Sequence, residues 1–171
     1  TFMFWSKKKK HSHKQHESET EINVLQLRES ELSEQTLSSL SFSNGKAQLI
    51  LAFISPQLDF ERVVNKIKNA TPFCSTVIGL MTAGELNSES KDFYQSTTGL
   101  WDTIVLQSFS DRLFSSIEVK TVPLHCEDLK KGNPTSSKVE RVKAIKKEIE
   151  KISLNMMVNY RDTVAITFFD G

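Results

Sequence analysis

Apolar residues concentrate in the middle of the chain, where their spacing predicts a β-α-β unit. Ala47 to Ile54 is a nearly continuous apolar run, the pattern of a strand covered on both faces. Pro56 stops it, because proline removes a backbone donor. Asp59 then stands where its carboxylate can cap a helix, and Phe60, Val63, Val64 and Ile67 form one helical stripe. A helix is predicted from Asp59 to Asn69, broken by Thr71-Pro72. Cys74 to Thr82 follows as a second strand, and parallel pairing of the two would require a right-handed connection.

The pattern extends outwards on both sides. Ile22 to Leu27 alternates, with Ile22 and Val24 set against Asn23, Leu25 and Leu27, which predicts a first strand. From Ser30 to Leu40 the positions Leu32, Thr36, Leu37 and Leu40 fall near one helical face, predicting a helix of about ten residues. Ser43-Asn44-Gly45 is turn chemistry. Leu86 to Thr98 reads as a polar loop with room for a short strand. Trp101 to Phe109 and Ser116 to Val122 read as strands, and the short Ser110-Asp111-Arg112 link predicts that they pair antiparallel. After the break at Gly132-Asn133-Pro134, Ser137 and Glu140 have the spacing of a capping box. Val139, Val142, Ile145, Ile149 and Ile152 mark the inward face of a helix running to about Leu154, with a lysine-rich outer face. Thr163 to Phe169 is a last strand.

These elements give an α/β fold: a mixed β-sheet of Ala47–Ile54, Cys74–Thr82, Trp101–Phe109, Ser116–Val122 and Thr163–Phe169, flanked by the helices that begin at Asp59 and Ser137. With 171 residues, 38% apolar and 25% charged, the chain can fill one ordinary core. Residues 21–171 are expected to form that domain. Residues 1–20 carry Phe2, Phe4 and Trp5, then Lys7 to Lys10, then His11, His13 and His16, then Glu17 and Glu19. So little apolar surface predicts a flexible basic, His-rich leader. An interfacial tether, a nucleic-acid arm and a His-rich metal clip compete with a plain solubilising role for it.

Composition excludes more than it assigns. No apolar run reaches the ~18 residues a membrane helix needs, and no cleavable signal is present, so a cytoplasmic location is expected. A net charge of +1 gives no global attraction to nucleic acid. Cys74 and Cys126 are too few for a zinc site or a disulfide framework, so no metal is expected. No nucleophile elbow, P-loop, HExxH or dinucleotide motif occurs, so no enzyme activity and no catalytic residue are expected. His125 and Cys126 are neighbours on an extended segment, whose side chains point to opposite sides and make no dyad.

The candidate chemistry lies in VIGLMTAGEL, Val77 to Leu86, where a strand ends in a turn of small residues and Glu85 follows directly. A carboxylate beside missing side-chain bulk is placed to meet a ligand amine or to cap exposed amides; a plain bend with a solvated Glu85 is the competing reading.

The order of strand, Ser-Pro, helix, strand and GxxTAGE over Leu49–Pro56 and Val77–Glu85 resembles the N-terminal half of the FIST domain. Trp101–Val122 and Thr163–Gly171 are more loosely similar. The resemblance implies a sensory input domain of a bacterial signal-transduction protein, the N-terminal part of a larger FIST module that continues past residue 171. It implies as partners a small-molecule ligand, the C-terminal FIST half and a downstream signalling module. A methyl-accepting chemotaxis protein, through which the chain could oligomerise, is the expected output. With an amino acid as ligand, Glu85 would take the ammonium, the amides of Ala83 and Gly84 the carboxylate, and Thr82 would add a hydroxyl. Haem-based nitric-oxide sensing with His125 as axial ligand is the alternative, as is a protein-interaction module without a small ligand. Many family members carry Cys-Ser where this chain has Leu80 and Met81, so no thiol chemistry is implied at the turn.

Overall fold

The computed structural model describes residues 2–8, 20–82, 85–86, 94–95 and 101–169. In chain order the strands are β1 (Phe2–Lys8), β2 (Ile22–Arg28), β3 (Ala47–Ile54), β4 (Thr76–Met81), β5 (Glu85–Leu86), β6 (Tyr94–Gln95), β7 (Thr103–Ser110), β8 (Phe114–Thr121) and β9 (Thr163–Phe168). The helices are α1 (Glu34–Leu37), α2 (Phe60–Ala70), α3 (Glu127–Lys130) and α4 (Lys138–Glu150). The chain forms two compact units, His11–Leu113 and Thr1–Lys10 with Phe114–Gly171.

The first unit holds a four-stranded mixed sheet in the order β2-β7-β3-β4. β3 and β4 are parallel, with Leu49 opposite Thr76 and Ile54 opposite Met81, and the other pairs are antiparallel. Both faces of β3 are apolar and covered, as its sequence predicts. Ile50, Ala52 and Ile54 join Leu27, Leu37, Leu40, Val63, Ile67, Ile104 and Leu106 in one buried cluster. Leu49 and Leu51, of opposite parity, are buried on the other face. α2 starts where its cap predicts: the Asp59 side chain accepts a bond from the Arg62 N–H at 3.1 Å. β5 and β6 form a separate two-stranded ribbon.

The helix expected over Ser30–Leu40 is instead three short pieces: a 3-10 turn at Glu29–Glu31, α1, and a 3-10 turn at Ser38–Leu40. Its serines are the physical reason. The Ser33 hydroxyl caps α1 by accepting from the Thr36 N–H, while Ser38 and Ser39 donate to the carbonyls of Gln35 and Thr36, so side chains compete for the bonds a longer helix needs. Leu37 and Leu40 still reach the core, each fully buried.

The second unit holds an all-antiparallel sheet, β8-β1-β9. Two expectations change here. Phe2–Lys8 is the middle strand, with Phe2 opposite both Thr121 and Phe168, rather than part of a flexible leader; residues 9–19 of that stretch lie outside the described residues. β8 and β9 pair with β1 and do not extend the larger sheet. β7 cannot take β8 as its hairpin partner, because both of its edges are already occupied by β2 and β3.

α4 begins with the predicted capping box, in which the Ser137 hydroxyl accepts from the Glu140 N–H at 3.2 Å and the Glu140 carboxylate accepts from the Ser137 N–H at 2.8 Å. Its apolar stripe does not face inward, however. Val139, Val142 and Ile149 are exposed, Ile145 and Ile152 are half-buried, and Arg141 is the helix's buried residue. Arg141 forks onto Asp128 (Nη1–Oδ1 2.7 Å, Nη2–Oδ2 3.2 Å) and also donates to the carbonyls of His125 and Ser136. The surface the helix docks on is thus made of a carboxylate and carbonyl oxygens, which require a multi-donor cation and not a valine stripe.

Candidate functional site

The parallel pair β3 and β4 ends at Ile54 and Met81. The two exits are joined by the backbone, since the Thr82 N–H donates to the Ile54 carbonyl at 3.2 Å. Thr82 is half-buried there. Of the other residues expected at the turn, Ala83 and Gly84 lie outside the described residues. Glu85 opens β5, opposite Gln95. The predicted site residues therefore follow the carboxyl end of a parallel strand pair, the edge at which open α/β sheets take ligands.

Sequence reasoning missed the other wall of this edge. Ser55, fully buried, donates from its hydroxyl to the Trp101 carbonyl at 2.5 Å, and the Trp101 N–H donates to Gln57 Oε1 at 3.0 Å. Ser55 Oγ also accepts from the Gln57 N–H at 3.2 Å. Trp101 comes to β3 from far along the chain and is 1% exposed. Its sequence signal was only that of a strand's first residue, and nothing local says that it closes on the Ser-Pro turn.

At the opposite end of the same sheet, before β2 and β3 and after β7, lies an open polar cleft of about 370 Å³. Glu21, Asn23, Ser41, Asn44, Ser110 and Arg112 line it. Arg112 Nε and Glu21 Oε1 stand 3.8 Å apart, a loose ion pair, and Asn23 donates to the Ser41 carbonyl at 3.1 Å. Its lining comes from separate stretches of sequence, none of which carries a motif.

The family model for the FIST N domain matches residues 48–171. The chain belongs to the FIST N domain family. FIST domains are sensory domains of signal transduction, so the sensory reading stands at that level. No curated protein matches the sequence. Among solved structures, CetZ from Methanosaeta thermophila is similar at 15% identity over 76% of this chain and 30% of that chain, with a TM-score of 0.32.

In this FIST N domain, His125 sits in an exposed connection before α3, with a left-handed φ of 53°. Its carbonyl, as described above, is held by Arg141. The Cys126 thiol beside it donates to the Leu124 carbonyl at 3.3 Å. Burial raises the pKa of Cys74, which packs against the core and bonds the Thr76 carbonyl. In the Arg141 network, the guanidinium and the N–H groups of Thr135, Ser136 and Leu129 hold the Asp128 carboxyl far below the usual carboxylate range. Among the described residues no cluster of three or more His, Cys, Asp or Glu side chains is placed to hold a metal ion. Among them, too, no helix is long and apolar enough to cross a membrane.

Proposed function

We propose that this FIST N domain is the small-molecule input module of a bacterial signal-transduction protein, that its ligand is an amino acid, and that its output is a cytoplasmic chemoreceptor module. The reading is supported by one observation above all: the Thr82–Glu85 turn follows the carboxyl end of the parallel β3/β4 pair, tied to it through Thr82 and Ile54. In this reading Glu85 binds the ammonium, the amides of Ala83 and Gly84 bind the carboxylate, and the Thr82 hydroxyl assists. The module acts by binding and not by catalysis. The ligand biases the output only through different affinities for two arrangements of the protein, since equal affinity shifts nothing.

The test is thermal unfolding of the chain with each of the twenty amino acids, repeated on Glu85→Ala. A ligand at 100 times its Kd adds about 2.7 kcal/mol, a clear rise in midpoint, and Glu85→Ala should abolish it. A rise that survives Glu85→Ala removes the turn site, and the absence of a rise with any amino acid removes the ligand class. Haem in the same screen addresses the alternative: a haem absorption band lost in His125→Ala would replace the amino-acid reading.

A further inference from the structure

Arg141 holds α4 to its own unit, and part of the helix's apolar stripe is left facing solvent. Val139 is 63% exposed, Val142 57% and Ile149 42%. At 3.6 residues per turn the three share one face of the helix, over about 15 Å of its axis. Single apolar residues on a surface need no explanation, but a line of them marks a place where something docks.

The charges beside this line are unbalanced. Each carboxylate of α4 is engaged: Glu140 closes the capping box on Ser137, Glu148 accepts from Lys151 at 2.8 Å, and Glu150 stands 3.7 Å from Lys146. Among the described residues no carboxylate pairs with Lys138, Lys143 or Lys147, which are all exposed. Lys143 and Lys147, four residues apart, form a row of like charge along one flank of the apolar line, and Lys138 stands on the other flank at its start. Such a row costs an isolated helix stability. A partner that brings carboxylates to it removes that cost and gains electrostatic complementarity.

Three occupants compete for this face, and two fit poorly. A second copy of the chain supplies no unengaged carboxylate from its own α4, and Lys146, in line between Val142 and Ile149, would meet the lysines of the copy. A bilayer surface suits the lysines, but surface-lying helices bury tryptophan, phenylalanine or leucine, and this line offers two valines and an isoleucine. A helix with apolar residues on one stripe and acids beside it answers both the spacing and the charge.

We propose that the exposed face of α4 docks an acidic amphipathic helix of a partner protein, whose leucine or isoleucine side chains pack on Val139, Val142 and Ile149 and whose Asp or Glu side chains pair with Lys143 and Lys147. The surface is separate from the turn after β4, and the assignment does not rest on the amino-acid reading.

The test titrates the whole chain against a fluorescein-labelled helical peptide of about three heptads, with leucine at the apolar positions and glutamate beside them, followed by anisotropy. A twin peptide carries lysine in place of glutamate. The glutamate peptide should bind ten times or more tighter than its twin. Val142→Glu should weaken it at least tenfold and, at an exposed position, leave the unfolding midpoint of the chain unchanged; Ile149→Ser repeats the measurement should that midpoint fall. Lys143→Glu combined with Lys147→Glu should invert the preference, so that the lysine twin binds tighter. No binding of the glutamate peptide, equal binding of the two peptides, or a preference that survives the double charge reversal overturns the proposal. Sedimentation of the chain alone and flotation with phosphatidylserine vesicles address the rival occupants. A dimer lost in Val142→Glu would give the face to a second copy, and vesicle binding lost in the double charge reversal, without peptide binding, would give it to a membrane; either result overturns the proposal.

Discussion

Gly79 sits in the middle of β4 against α2, and replacing it with alanine tests the packing that places the candidate turn. A Cβ there would stand 2.5 Å from Val64 Cγ2 and 3.2 Å from Phe60 Cζ. Neither neighbour yields cheaply, because a valine within a helix keeps essentially one χ1 rotamer and Phe60 packs against the buried core. Overpacking of this kind costs about 1–3 kcal/mol. Glycine at this position does not occupy the left-handed region, so alanine also recovers about 0.4–1 kcal/mol of unfolded-state entropy. The net expectation for Gly79→Ala is a loss of roughly 0.5–2 kcal/mol, read from urea unfolding followed by circular dichroism. Val64→Ala alone should cost about 1 kcal/mol through lost burial. In the double variant the obstructing methyl is gone, so the two effects should not add, and a coupling of about 1–3 kcal/mol should offset them. Strict additivity, or a Gly79→Ala chain as stable as the parent, would refute the claim that β4 and α2 meet at a glycine because nothing larger fits.

Two further outcomes follow from named bonds. Ser108, fully buried on β7, donates to the Leu40 carbonyl at 2.8 Å; Ser108→Ala leaves that carbonyl short of a donor and should cost about 1–3 kcal/mol in urea unfolding, while a change under ~0.5 kcal/mol would show that the bond carries no weight. The Asp128 carboxyl has a folded pKa below its unfolded value of ~3.9, so its contribution is complete above about pH 4 and is lost as the pH falls below that. The urea midpoint should decline steeply from about pH 4 to pH 2 in the parent and less in Asp128→Asn; equal declines would sink the assignment.

The sequence pattern was most legible where its signals were local. β3, the Asp59 cap, α2 and β4 follow from one apolar run, one carboxylate and one helical stripe, and all four stand where those signals put them. Local signals also misled. The leucine spacing of 30–40 was helical, but serine hydroxyls in the same stretch took backbone bonds and cut it into single turns. The valine stripe of α4 was periodic and still turned outward, because the residue that docks, Arg141, answers an aspartate thirteen residues earlier that no periodicity can register. Long-range pairing was invisible for the same reason: nothing between Phe2 and Lys8 specifies that β8 and β9 are their neighbours. At the candidate site, Thr82–Glu85 was read from missing bulk around a carboxylate, whereas the bonds of Ser55 and Gln57 to the Trp101 backbone join segments far apart in sequence and carry no local signal.

The position of β1 has a consequence for how this protein is made. Its partners lie at Phe114–Thr121 and Thr163–Phe168, so Phe2–Lys8 cannot complete its sheet until the much later Thr163–Phe168 emerges from the ribosome. At about 5–20 residues per second, that is a wait on the order of ten to thirty seconds. Meanwhile the elements of the His11–Leu113 unit emerge together and can close on their own buried cluster. During that interval Phe2–Lys8, which opens with Phe2, Met3, Phe4 and Trp5, has both edges unpaired and open to pairing with another chain.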